Sequence, residues 1–212
     1  MFQMKIDTGQ SSVPGRRVKI TEYGPGVTAT IQPGGTDYTQ YVASPFAFPS
    51  GQYSLIFEGL NNDGDNMVLI DSVALGHPLV ANGSFENPDV SSEPGGYQYN
   101  PTDPTWTFAG DAGLASNGSD LTLGNPNAPD GSQVAFVQNA GYMFQIRNVA
   151  AGTYALHFQA AQREGNTRNQ EVRVNLRPSG TGVSIKRFVW CGSQICEERD
   201  SSGLTVTKRF LG

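Results

Sequence analysis

Apolar positions along the chain come in short runs that alternate with polar ones at a period near two, the spacing of a half-buried strand. Tyr53, Leu55 and Phe57 alternate with Gln52, Ser54 and Glu58, broken only by Ile56. Val27 to Ile31 is β-branched and stops at Pro33-Gly34-Gly35, a strong turn signal. Tyr38 to Phe48 reads as two extended runs, with Pro45 marking an edge or bend between them. The polar turn Asn61 to Asn66 leads into a strand over Met67 to Leu75. Gly76-His77-Pro78 breaks the chain, and the pattern predicts a strand again over Val80 to Glu86. Pro88 to Pro104 reads as a long loop holding Tyr97 and Tyr99. Trp106-Thr107-Phe108 is a short strand with both aromatics on one face, and Ala112 to Leu123 a strand and turn around Asn117-Gly118. Four more strands follow, at Gln133 to Gln138, Tyr142 to Val149, Tyr154 to Ala161 and Gln170 to Leu176. Near the start, Phe2 to Ile6 alternates as a strand, and Ser11 to Gly26 is a loop with one short strand. Beyond Pro178, Ser184 to Trp190, Gln194 to Arg199 and Leu204 to Leu211 form a three-strand meander, too small to bury a core by itself.

Composition points the same way. The chain has 212 residues with 26 Gly and 13 Pro, and no helix formers recur at helical spacing. Many short strands joined by Gly, Pro, Asn and Asp turns imply an all-β sandwich. The net charge of −5 argues against nucleic acid, whose phosphates need a basic face. No apolar run approaches the roughly 20 residues of a membrane helix. Met1 to Lys5 lacks the apolar stretch of a signal peptide, so a truncated start is expected. Cys191 and Cys196 lack the further ligands of a zinc site. With Gly192-Ser193 as a hairpin turn, Cys191 faces Gln194 and Cys196 faces Val189. The thiols are then diagonal, and both a disulfide and two small half-buried side chains stay open.

Residues 82–176 resemble the front part of a bacterial galactose-binding-like β-sandwich module of the carbohydrate-binding type. The resemblance runs through Asn82-Gly83-Ser84-Phe85-Glu86, Trp106-Thr107-Phe108, Ala112 to Ser119, Asn125 to Gly131, Gln133 to Gln138, Ala150 to Tyr154 and Ala160 to Arg163. Residues 27–75 resemble the rear part of the same module, through Thr30 to Pro33, Pro49 to Tyr53, Phe57 to Leu60 and Asp65 to Val73. The order is inverted. Either one jelly-roll module is circularly permuted, or the tail of one module precedes the head of another. Two unfinished sheets would expose unpaired edges and open cores. The first reading, a module over 1–178 with its rear part at 1–76 and its front part at 80–178, is therefore the expectation. Residues 184–211 are similar to the Rhs or YD-repeat family, through Arg187 to Gly192, Cys196 to Asp200 and Thr207 to Phe210. That implies a separate β-meander at 179–212 and a piece of a longer exported protein.

The resemblance implies a structural Ca²⁺ near the first and last strands, with Asp71, Glu86 and backbone carbonyls near Asn82 as oxygen ligands. A sugar site needs aromatic platforms and planar polar side chains. Tyr97, Tyr99 and Trp106 lie in or beside the long loop, and Gln162, Arg163 and Asn166 lie at a strand end. Trp106 also reads as core filler, since it alternates with Phe108. His77 and His157 sit in no nucleophile motif, and no phosphate loop appears. The chain therefore reads as a non-catalytic polysaccharide- or oligosaccharide-binding module, extracellular or at a cell surface. It could pair with a second copy through an incomplete sheet edge. The alternatives are a structural or adhesin-type domain of an Rhs-like protein and, more remotely, a glycan-active enzyme.

Overall fold

A computed structural model describes residues 27–76 and 79–179, together with the backbone of strands at 187–191, 194–199 and 206–209. The expectations for 1–26 and for His77-Pro78 lie outside the described residues. The chain divides into two compact units, Met1–Pro178 and Ser179–Gly212.

Among its described residues the first unit is all-β. In chain order its strands are β1 (Val27–Ile31), β2 (Thr39–Val42), β3 (Phe46–Phe48), β4 (Gly51–Gly59), β5 (Met67–Leu75), β6 (Tyr97–Tyr99), β7 (Thr107–Ala109), β8 (Ala112–Ser116), β9 (Gln133–Gln138), β10 (Tyr142–Val149), β11 (Gly152–Tyr154), β12 (Leu156–Gln162) and β13 (Val172–Pro178). They form an antiparallel five-stranded sheet, β1-β13-β4-β10-β7, and an antiparallel six-stranded sheet, β2-β12-β5-β9-β8-β6. A short pair joins β3 to β11. Each large sheet mixes strands from the two inverted segments: β4 lies between β10 and β13, and β5 between β9 and β12.

Strand alternation explains the core. Leu55 and Phe57 from the five-stranded sheet meet Val68, Ile70 and Phe158 from the six-stranded one in a common apolar cluster. Phe57 and Phe158 pack edge to face at 5.3 Å, so the sheets close face to face into a sandwich-like body. A second, smaller cluster lies on the other face of the six-stranded sheet. There Met67, Leu69, Ala115, Val134 and Phe136 are covered by Leu121, Ala128 and Tyr97.

Two local departures shape the site. In β5, Met67 and Leu69 point away from the main core while Val68 and Ile70 point into it, yet Val73 and Leu75 also point in. The alternation changes phase at Ser72, whose φ is 54°, opposite an irregular register in β12. This is a β-bulge, which re-aims side chains. The second departure corrects an expectation. Residues 80–86 are not a strand but a chain of bends and turns, with left-handed backbone at both Asn82 (φ 48°) and Phe85 (φ 58°) breaking the extended run twice within four residues.

In the second unit, β14 (Arg187–Cys191), β15 (Gln194–Arg199) and β16 (Val206–Arg209) form an antiparallel meander. Cys191 pairs with Gln194, while Val189 pairs with Glu197 across a register shift. Side chains there lie outside the described residues, and with them the disulfide alternative and the repeat resemblance.

Candidate functional site

Three of the six residues expected to touch sugar come together on the outer face of the six-stranded sheet. β6 runs along its edge, with Tyr97 opposite Ala115 and Tyr99 opposite Gly113. Gly113 in turn faces Phe136 on β9. With no side chain on Gly113, the Tyr99 ring reaches across the strand and packs edge to face on Phe136 at 4.9 Å. A Cβ at Gly113 would collide with the Gln98 carbonyl oxygen and sit 2.7 Å from Phe136 Cζ. Tyr97 packs nearly perpendicular to Tyr99 at 5.9 Å. Tyr99 remains 38% exposed, an aromatic surface held by neighbours on two sides.

A row of polar side chains continues from this pair. The Tyr99 hydroxyl donates to Gln138 Oε1. Gln138 Nε2 donates to Asp65 Oδ1 at 2.5 Å, and Arg163 Nη1 donates to Asp65 Oδ2 at 2.8 Å. Burial and the nearby charges of Asp111, Tyr97 and Asp65 push the Tyr99 phenol above its usual value, while the Arg163 cation acts against them. The hydroxyl therefore stays protonated and able to donate. Asp65 and Gln138 were missed in the sequence, where they read as a turn residue and a strand end. Their partners lie 98 and 73 positions away along the chain, beyond the reach of local pattern.

The other three candidates are structural. Trp106 is 1% exposed, packed against Phe85 at 5.2 Å and Phe57 at 6.3 Å. Its indole N–H donates to the carbonyls of Ala81 and Asn82. It is core filler, not a platform. Gln162 is buried; its amide donates to the carbonyls of Pro33 and Gln170, and its Oε1 accepts from Asn166 Nδ2 and the Gln170 N–H. Asn166 accepts the Met67 N–H and returns a bond to the Met67 carbonyl. These bonds fix the turn that carries Arg163; buried Gln162 spends its donors and acceptors internally, and half-buried Asn166 bonds the Met67 backbone and Gln162.

The carboxylates expected to hold calcium flank one loop. Asp71 is fully buried; its oxygens accept the N–H groups of Ser72 (2.6 Å) and Asp130 (2.8 Å). Burial raises its pKa from 3.8 to about 7, opposed by those two N–H donors and reinforced by the charges of Asp130 and Glu86. Glu86 accepts the N–H groups of Ser132 and Gln133 and the Ser132 hydroxyl. Gly131, at φ 87°, leaves the room, since a Cβ there would collide with the Glu86 carboxyl. The Asn82 amide is spent on the Asn87 carbonyl and on Asp103 Oδ2, and its own carbonyl takes the Trp106 indole. Calcium demands converging oxygens. Here N–H and O–H donors converge on the carboxylates, and among the described residues no three acidic, His or Cys side chains gather to hold a metal. Each carboxylate keeps acceptor positions beyond these bonds, so calcium at Asp71 and Glu86 stays an expectation for an ion-binding measurement to test.

Among the described residues no helix is long and apolar enough to cross a membrane. Comparison of the chain with protein-family models, with curated proteins and with solved structures gave no match, so both resemblances rest on the residues quoted for them.

Proposed function

We propose that the chain is a non-catalytic carbohydrate-binding module, a galactose-binding-like jelly roll in permuted order, belonging to an exported bacterial protein. The observation that carries this reading is the patch of Tyr97, Tyr99, Gln138, Asp65 and Arg163. It places an exposed phenol ring beside an amide, a carboxylate and a guanidinium, the mixture that a polyhydroxylated ring with apolar C–H faces requires. The mixing of strands from both segments within each sheet supports the permuted arrangement. Affinity of a single patch would be modest, with linked copies supplying avidity. Pull-down on insoluble polysaccharides tests the reading. Binding should fall about tenfold in Tyr99→Ala, a loss of about 1.4 kcal/mol. Unchanged binding in both Tyr97→Ala and Tyr99→Ala would reject the platform.

A second reading, a structural or adhesin-type domain, is favoured by a different surface. On β10, Tyr142 and Ile146 are exposed, and Tyr142 stacks beside Phe144 with planes 21° apart. Such a row suits a neighbouring protein chain, a second copy included. Concentration-dependent self-association abolished by Tyr142→Ser, with no glycan binding, would favour it.

A further inference from the structure

Asp65 stands at the centre of the polar row. Its oxygens accept one bond each, from Gln138 and from Arg163. An ionised carboxylate has about four acceptor positions, so capacity remains on both oxygens. The Asp65 side chain is 48% exposed and reachable. Arg163 carries several N–H donors in a fixed fork, one of which goes to Asp65. The surface therefore presents an acceptor and a donor side by side, at a separation the ion pair itself sets.

The chemical complement is a pair of hydroxyls on neighbouring carbons. One donates to Asp65, and the next accepts from Arg163. A lone hydroxyl must serve both groups from one oxygen, whereas a diol gives each group a partner of its own. A carboxylated sugar meets Asp65 and Asp111 beside Tyr99, with the Arg163 charge already matched by Asp65. Because the pair is fixed before binding, little ordering is needed to use it.

We propose that the Asp65–Arg163 pair reads the vicinal diol of neutral sugars, with Tyr99 beside it taking the C–H face of the ring. This inference rests on the carbohydrate-binding reading above and narrows its substrate class.

The test uses galactomannan, whose backbone sugars carry adjacent free hydroxyls, in native form and after periodate cleavage of those diols followed by reduction. Curdlan is the comparison, since its linkage occupies the hydroxyl that would complete the diol. The expected result is binding to native galactomannan, about tenfold weaker binding to the cleaved polymer and to curdlan, and a similar loss in Asp65→Asn and Arg163→Lys. Melting curves check that both variants fold, and Tyr142→Ser on the other sheet should bind as the parent does. Equal binding to native and cleaved galactomannan, or full binding by folded Asp65→Asn, overturns the inference. Tyr99-dependent binding to curdlan alone overturns it while sparing the broader reading. Binding to neither polymer in native form overturns both.

Discussion

Arg163 and Asp65 are joined at 2.8 Å with the arginine side chain about four-fifths covered and the aspartate side chain half exposed, at 18% and 48% of full accessibility. That asymmetry separates stability from function. The pair is screened on its carboxylate side, so its worth to folding is that of a surface ion pair, about 1 kcal/mol or less. Arg163→Ala should lower the urea midpoint slightly and abolish most polysaccharide binding. A large stability loss with binding intact would mean that the pair serves only to pin the turn at Asn166.

Gly113→Val should be costly at both levels. The new side chain meets the Gln98 carbonyl and the Phe136 ring, neither of which can withdraw without disturbing the sheet. Overpacking of this kind costs about 1–3 kcal/mol. It also pushes the Tyr99 ring off Phe136. Reduced thermal stability together with a changed near-ultraviolet dichroism of the tyrosines is the expected pair of readouts.

Which features were legible in the sequence follows from which forces are local. β5, β9 and β10 are long β-branched or aromatic runs bounded by turn residues, and their limits could be read directly. Residues 80–86 carry a similar apolar rhythm, but the alternation says nothing about Asn82 and Phe85 taking left-handed backbone. Phe85 does so to reach the Trp106 ring, a partner on a different element. Trp106 beside a loop read both as a ligand platform and, by its alternation with Phe108, as core filler, and the structure places it in the core. Its burial depends on Phe57, fixed on β4 nearly fifty positions earlier. Tyr97 and Tyr99 were recognisable as ring surfaces because they lie in a Gly/Pro-rich stretch that reads as a loop; residues 97–99 are instead the edge strand β6, a pairing set by β8 and not by local pattern. Gln138 and Asp65 carried no comparable signal, since only the pairing of β9 with β5 brings them together.

Trp106→Ala should behave as a core deletion. Losing a fully buried indole costs about 3–5 kcal/mol. Trp106→Phe keeps most of the apolar contact and removes the indole donor, while the Ala81 carbonyl still accepts from Gln145 Nε2 and the Asn82 carbonyl from the Phe85 N–H, so the loss is about 0.5–1.5 kcal/mol. Denaturant midpoints measure both. Under conditions where Trp106→Phe remains folded, its glycan affinity should equal that of the parent, because the indole lies in the core and away from Tyr99.

The buried Asp71 gives the domain a distinctive pH response. Its surroundings are the N–H groups of Ser72 and Asp130, the carboxyls of Asp130 and Glu86, and the Tyr38 phenol, which burial and the Asp71 charge hold well above its usual value. Burial dominates, so the folded state favours the protonated acid, with a pKa of about 7 against 3.8 for the free group. Between these values the folded chain holds a proton that the unfolded chain has released. Stability from this group is therefore full below about pH 4, declines as pH rises through about 7, and is level above that. The span corresponds to as much as about 4 kcal/mol at roughly 1.4 kcal/mol per unit. Asp71→Asn cannot ionise, and the difference between its urea midpoint and that of the parent should change across this interval and stay constant above it. Calcium added at neutral pH tests the ion expected beside this loop: a rise in the parent's melting temperature that disappears in Asp71→Asn supports a site there, and an unchanged melting temperature rejects it.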